Sequence, residues 1–148
     1  MNRWLTITPF MAIPVVIYLL IALFSSGSDA AGVPNIVGKL DAALFNMPMI
    51  SGIKWQFRLG DFIMLIGLVT LSIEIVKSTS TKSTAIANHA TSIGIMVVSL
   101  ILFLAVGNFS TSVFFFITMM CVLDVLAGVM VSIVAARRDF GVGDGFVG

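Results

Sequence analysis

The chain has 148 residues, of which 59% are hydrophobic and only 10% are charged, and its formal net charge is +1. A soluble domain carries about 25% charged residues and could not bury so much apolar surface at this length, so a soluble protein is excluded. The nearly neutral charge gives no reason to expect a nucleic-acid partner. The composition predicts one membrane domain over residues 1–148, surrounded by the lipid bilayer.

The first predicted membrane span runs from about Pro9 to Phe24, and Pro14 inside it predicts a kink. A cleaved signal peptide is the alternative, because the small residues of Ser28–Ala30 have the spacing of a cleavage site. The two prolines and the single preceding basic residue, Arg3, are unusual for a signal peptide. They favour an uncleaved anchor.

The long connection after this span contains a second apolar pattern. Pro34 and Asn35 form a typical helix start, and Pro48 ends the pattern. The apolar positions between them fall on one face at helical spacing: Ile36, Val37, Leu40, Ala43, Leu44 and Met47. The spacing predicts a short amphipathic helix over residues 36–47 in the first outer loop. It could simply tether two spans, or act as a lid or a partner-binding element.

The second predicted span, from about Arg58 to Val76, carries a stripe of small and polar residues. Gly60, Gly67 and Glu74 recur every seven residues, so they lie on one helix face. Such a face is expected to contact another helix rather than lipid.

The carboxylates of this span lie near its ends, where local partners are available. Arg58 precedes Asp61 by one turn, and Lys77 follows Glu74 by one turn. Both carboxylates are therefore expected to be satisfied locally.

The third and fourth predicted spans cover about Ala87–Val106 and Val113–Ala136, joined by a tight turn. Asp124 lies near the middle of the fourth, where a charge costs roughly 2.5–3.5 kcal/mol. Gly128 and Ser132 form a small-xxx-small pair on the same helix, which allows another helix to approach closely.

Two groupings of buried polar residues follow from these spans. Asp124 should lie level with Ser99 of the third span, which predicts either a structural hydrogen bond or a site that handles a proton or an ion. Glu74 and His89 should lie at a common depth nearer the cytoplasm, where they could anchor the span ends or share a proton.

The positive charges of the loops predict that both termini are cytoplasmic. In that orientation five basic residues lie inside, namely Arg3, Lys77, Lys82, Arg137 and Arg138. Three lie outside, namely Lys39, Lys54 and Arg58.

Several chemistries lack the residues that they need. One histidine and one cysteine, Cys121, cannot build a zinc, iron–sulfur or bis-histidine haem site. The sequence contains neither a phosphate-binding loop nor the G-x-S-x-G nucleophile elbow. We therefore expect no enzyme activity, no cofactor and no metal.

Three segments carry a resemblance to known proteins: Trp4–Phe10, Gly60–Asp61 and Val134–Gly141. They resemble the corresponding parts of small four-span bacterial inner-membrane proteins of unassigned function. The resemblance covers most of the chain and implies four spans and a bacterial inner membrane. It implies no catalytic or binding residues.

The sequence as a whole predicts an all-α membrane protein, a four-transmembrane-helix bundle with a short amphipathic helix in the first outer loop. The leading function is a non-catalytic accessory or scaffold subunit that acts through helix contacts, with a second copy or another membrane protein as partner. The alternative is an oligomeric transporter or channel for protons or ions that uses Asp124.

Overall fold

The computed structural model describes residues 8–25, 27–78 and 84–141, without the side chains of 84–86 and 135–141. The predicted roles of Arg3 and Lys82 lie outside the described residues, as do Trp4 and the side chains of Arg137 and Arg138. The described elements, in chain order, are α1 (Ala12–Leu23), α2 (Asn35–Leu40), β1 (Ala43–Pro48), β2 (Lys54–Arg58), α3 (Leu59–Ser78), α4 (Thr84–Ala105), a 3-10 turn (Gly107–Phe109) and α5 (Ser112–Gly141).

Three of these helices are long and apolar enough to cross a membrane. They are α3, the part of α4 from Ala87 onward, and α5 as far as Val134. Helix α1 is apolar but has 12 residues, and at 1.5 Å per residue it is about 18 Å long, against roughly 30 Å of hydrocarbon. The described residues are thus mostly helical and compatible with a helical membrane protein.

Of the prolines in the first apolar segment, Pro9 precedes α1 and Pro14 lies in its first turn. The Ala12 N–H donates to the Pro9 carbonyl over 3.1 Å in the turn that leads into the helix. Because α1 begins at Ala12, Pro14 falls in its first turn, where its missing N–H breaks no helical hydrogen bond. The loss of a helical hydrogen bond from which the kink at Pro14 was predicted therefore does not occur.

Helix α5 is the centre of the packing, because it contacts α1, α3 and α4. Gly60 and Gly67 of α3 face Val113 and Met120 of α5, which shows that these two helices run parallel. The residues of the α3 stripe, Gly60, Ile63, Gly67, Thr70 and Glu74, are buried. A backbone with little or no side chain allows α3 and α5 to approach closely at the two glycines.

An aromatic cluster joins α1 to the turn before α5. The Tyr18 hydroxyl lies 2.6 Å from the Thr111 hydroxyl and donates to the Asn108 carbonyl over 3.0 Å. The Tyr18 ring contacts those of Phe109 and Phe114, with centroids 5.5 and 4.7 Å away. Tyr18 is fully buried, so its hydroxyl needs these partners.

The amphipathic helix predicted over residues 36–47 is wrong in its second half. The helix α2 ends at Leu40, and Ala43–Pro48 form a strand that pairs antiparallel with Lys54–Arg58. The described residues therefore form helices and one two-stranded sheet, rather than an all-α fold.

Local chemistry explains why a hairpin forms there. Phe45 stacks on Phe57 across the strands, with centroids 4.8 Å apart, and such cross-strand pairs stabilise a hairpin. The loop closes through a hydrogen bond from the Met49 N–H to the Ile53 carbonyl over 2.9 Å. Gly52 adopts φ +81°, the left-handed conformation that a three-residue hairpin loop requires.

Candidate functional site

Glu74 of α3 is completely buried, and its carboxylate is bound by residues from three segments. The Phe10 N–H, just before α1, donates to Oε2 over 2.7 Å. The Asn88 amide of α4 donates to Oε1, and the Lys77 ammonium lies 3.3 Å from the same oxygen. The ion pair predicted between Glu74 and Lys77 is confirmed.

Lys77 extends this network to further partners. Its ammonium donates to the Thr8 carbonyl over 2.9 Å and to the Asn88 side-chain carbonyl over 2.8 Å. It also lies 4.9 Å from the centre of the Phe10 ring, a cation–π contact. We call Glu74, Lys77 and Asn88, with the Thr8 carbonyl and the Phe10 N–H, the Glu74 clasp. It ties the start of α1 to α3 and α4.

His89 is the residue that the sequence paired with Glu74, and it takes no part in the clasp. Successive residues on a helix point about 100° apart, so Asn88 faces α3 while His89 faces α5. The His89 ring packs on Gly128, where an added Cβ would lie 2.8 Å from the ring carbon Cε1. Glu74 is therefore bound by Asn88 rather than by His89. The sequence does not predict this choice, because it depends on which side of α4 faces α3.

Asp124 of α5 is also buried, with 4% of its surface exposed, but its surroundings differ. Among the described residues its Oδ2 atom has no hydrogen-bond partner. Ser92 and His89 of α4, together with Glu74 and Lys77 of the clasp, lie near enough to influence its carboxyl group. The Asp124 carboxyl is therefore close to the clasp without belonging to it.

The hydrogen bond predicted between Asp124 and Ser99 is wrong. The Ser99 hydroxyl is fully buried and lacks a hydrogen-bond partner in the described part of the chain, and its neighbour on α5 is Cys121.

The register of the antiparallel pair α4–α5 explains this difference. Phe103 contacts Phe115 near the turn, with ring centroids 5.6 Å apart. Nine residues further along α5 is Asp124, and nine residues back along α4 is Gly94, which lies nearer to Ser92 than to Ser99. The depths estimated from the predicted span ends placed Ser99 rather than Gly94 level with Asp124, an error of about one and a half helical turns.

The glycines singled out by the sequence lie at contacts within the chain. A Cβ on Gly60 would lie 2.8 Å from Val113 Cγ2 and 3.3 Å from the Leu40 carbonyl oxygen. One on Gly67 would lie 2.8 Å from the Met120 sulfur. Ser132 is exposed, and its hydroxyl donates a hydrogen bond to the Gly128 carbonyl over 2.9 Å.

The carboxylate at the start of α3 caps its helix. The Arg58 N–H donates to Asp61 Oδ2 over 2.9 Å, which satisfies one free donor of the helix end. The Arg58 guanidinium pairs with Asp41 instead, over 3.0 Å. Asp61 therefore has a local partner, through the backbone of Arg58 rather than its side chain.

The residues of the candidate site can support only a few kinds of chemistry. In residues 8–25, 27–78 and 87–134, no three His, Cys, Asp or Glu side chains are grouped so that they could hold a metal ion. The chemistry that the site offers is hydrogen bonding, ion pairing and proton exchange at Asp124. Comparisons of this chain with protein-family models, with characterised proteins and with solved structures gave no match.

Proposed function

We propose that this chain is a non-catalytic accessory or scaffold subunit of a bacterial inner membrane, with four spans and both termini in the cytoplasm. Helices α3, α4 and α5 are three of the spans, and α1, although short, is the fourth. The basic residues near α2 and the hairpin would then face outward, and Lys77 would lie near the cytoplasmic end of α3.

The observation that carries this proposal is that both carboxylate oxygens of Glu74 already have partners within the chain. A catalytic carboxylate must reach a substrate, whereas Glu74 is fully buried and both of its oxygens accept hydrogen bonds from the chain itself. Such a group holds helices together. The most polar cluster of the described residues thus supports a structural role.

The surface left for a partner is the outer face of α4. Only 17% of the most apolar stretch of α4 is buried, against 33% for α3 and 39% for α5. A Cβ added to Gly94 would meet nothing within 4 Å, so another helix could approach the backbone there. The partner that fits is a transmembrane helix of another membrane protein.

This proposal is tested by cross-linking in native lipid, followed by purification of the chain. Gly94→Ile adds bulk to the open face, and we expect it to abolish recovery of a partner that the wild type retains. Ser72→Ile is the matched control, since Ser72 is exposed on α3 and its hydroxyl donates to the Leu68 carbonyl of its own helix. Recovery that survives Gly94→Ile, or that falls equally in both variants, contradicts the proposal. A second copy as the recovered partner would establish a homo-oligomer instead.

The second candidate function is conduction of protons or ions by an oligomer, and one observation favours it. The Oδ2 atom of Asp124 is buried without a hydrogen-bond partner in the described part of the chain. A polar atom in this state is costly, and a proton or a cation would satisfy it.

Flux through proteoliposomes tests this candidate. Asp124→Asn keeps the shape of the side chain but removes its ability to ionise. If the wild type carries a proton or cation current, the variant should lose it, and Ser99→Ala should retain it. A current unaffected by Asp124→Asn rejects this function.

A further inference from the structure

The hairpin presents one apolar face and one polar face. Phe45 pairs with Phe57, and Met47 pairs with Trp55, so these four side chains share a face. Trp55 also meets the Phe57 ring edge-on at 5.5 Å. The opposite face carries the pairs Asn46–Gln56 and Pro48–Lys54.

The apolar face is not covered by the rest of the described chain. Phe45, Met47 and Trp55 are 48%, 45% and 46% exposed, although each points away from the polar face. Ile53, 70% exposed, continues this surface to the tip, where Ile50 is fully exposed. An isolated two-stranded hairpin is marginally stable in water, and a contiguous apolar surface of this kind marks an interaction site.

The attachment of the hairpin restricts what can cover it. Strand β2 ends at Arg58 and helix α3 begins at Leu59, with no residue between them. The Leu59 N–H also donates to the Ala42 carbonyl over 3.0 Å, which fixes the base of β1. A strand of this length extends only about 17–20 Å, so the whole hairpin stays close to the end of a membrane-spanning helix.

The side chains on the hairpin are those of a membrane interface. Tryptophan and other amphipathic rings concentrate at the headgroup level, and basic residues accompany them. Lys54 lies on the polar face near the tip, where its long side chain can reach around to lipid phosphates. We propose that the face formed by Phe45, Met47, Trp55 and Phe57 lies on the headgroup–acyl boundary of the membrane that α3 crosses. This inference rests on the membrane location proposed above.

Tryptophan fluorescence of the whole chain in lipid vesicles tests the inference. The chain has two tryptophans, so Trp4→Phe leaves Trp55 as the reporter. We expect blue-shifted emission that is quenched by lipids brominated near the headgroup and is poorly quenched by aqueous iodide. Vesicles with anionic lipid should increase this protection, and Lys54→Gln should remove the increase.

A reporter on the other face of the same strand provides the control. In Trp4→Phe/Trp55→Phe/Gln56→Trp the tryptophan occupies the polar face, and we expect red-shifted emission that iodide quenches readily. Equal lipid quenching of the two reporters would overturn the proposed orientation. Protection of Trp55 from iodide without quenching by brominated lipid would assign the face to a protein contact, such as a second copy.

Failure of this inference can be separated from failure of the membrane location. Extraction of the membrane fraction at alkaline pH removes peripheral proteins but leaves spanning ones. A chain that resists extraction while Trp55 is open to iodide overturns the hairpin inference alone. Release of the chain by extraction overturns the proposed membrane-spanning subunit itself.

Discussion

Glu74 and Asp124 are two buried carboxylates about one helical turn apart in depth, and their surroundings are opposite. Glu74 accepts bonds from a backbone N–H, an amide and an ammonium. The Oδ2 atom of Asp124 has no hydrogen-bond partner among the described residues. Burial alone therefore does not distinguish a structural carboxylate from a candidate functional one, whereas the number of satisfied oxygen atoms does.

The comparison would break most clearly if Glu74 could be removed at little cost. Glu74→Ala leaves the Lys77 ammonium, with 18% of its side chain exposed, without its counter-charge. Removing one partner of a buried pair costs about 3–5 kcal/mol. We expect a loss of this size in the free energy of unfolding, measured in detergent micelles.

The double variant Glu74→Gln/Lys77→Met separates the ion pair from the packing around it. Because no isolated charge remains, we expect it to be less destabilised than Glu74→Gln alone. Equal destabilisation would mean that the Lys77 ammonium without its counter-charge costs nothing.

Gly128→Ala sharpens the other half of the comparison by disturbing the surroundings of Asp124. The added methyl group would overlap the His89 ring, and overpacking of this kind costs about 1–3 kcal/mol. Gly94→Ala is the matched control, since its added methyl group meets no atom within 4 Å. Thermal unfolding should show a loss for Gly128→Ala and none for Gly94→Ala.

Asp124→Asn should change stability by less than about 1 kcal/mol, because the Oδ2 atom has no hydrogen-bond partner among the described residues that the substitution could remove. Its free energy of unfolding in micelles is to be compared with that of Glu74→Gln, the matching amide substitution. A loss as large as that of Glu74→Gln would show that Asp124 has a strong partner, and would remove the contrast between the two sites.

Ser99→Ala should have the smallest effect on the free energy of unfolding, and the sign of this effect is what tests the structure. The buried Ser99 hydroxyl has no hydrogen-bond partner in the described part of the chain, so its removal should be neutral or stabilising by up to about 1 kcal/mol. Ser92→Ala is the control, because Ser92 is the neighbour of Asp124, and it should destabilise the protein in the same measurement.

The sequence predicted the structure well where apolar or small residues recur at helical spacing. The span predicted from about Arg58 to Val76 is the helix Leu59–Ser78, and the seven-residue spacing of Gly60, Gly67 and Glu74 places them on a buried face. Composition and hydrophobic runs are sufficient to predict such a helix, because the residues that repeat along one of its faces determine which side packs against its neighbours.

The pairing of side chains between helices was harder to predict. Whether Asn88 or His89 meets Glu74 depends on the rotation of α4. Whether Ser92 or Ser99 lies beside Asp124 depends on the register of α4 against α5, because these two serines are about two helical turns apart. Neither quantity follows from hydrophobicity.

The hairpin was missed for a different reason. Residues 36–47 fit a helical period, while the strand alternation of Trp55 and Phe57 and the turn glycine Gly52 lie further along the chain. Short apolar segments fit either period, and the pairing of Phe45 with Phe57 decides between them only in three dimensions.

The central position of α5 also has a consequence for biogenesis. Chains are made from the N-terminus, and every residue of the Glu74 clasp precedes α5 in the sequence. The clasp can therefore close before α5 has left the ribosome, whereas the principal contact of α4 is with α5 and must wait. Asp124 thus arrives last, carried by the helix that completes the assembly, and a premature stop before Ser112 leaves α4 without the surface on which it packs.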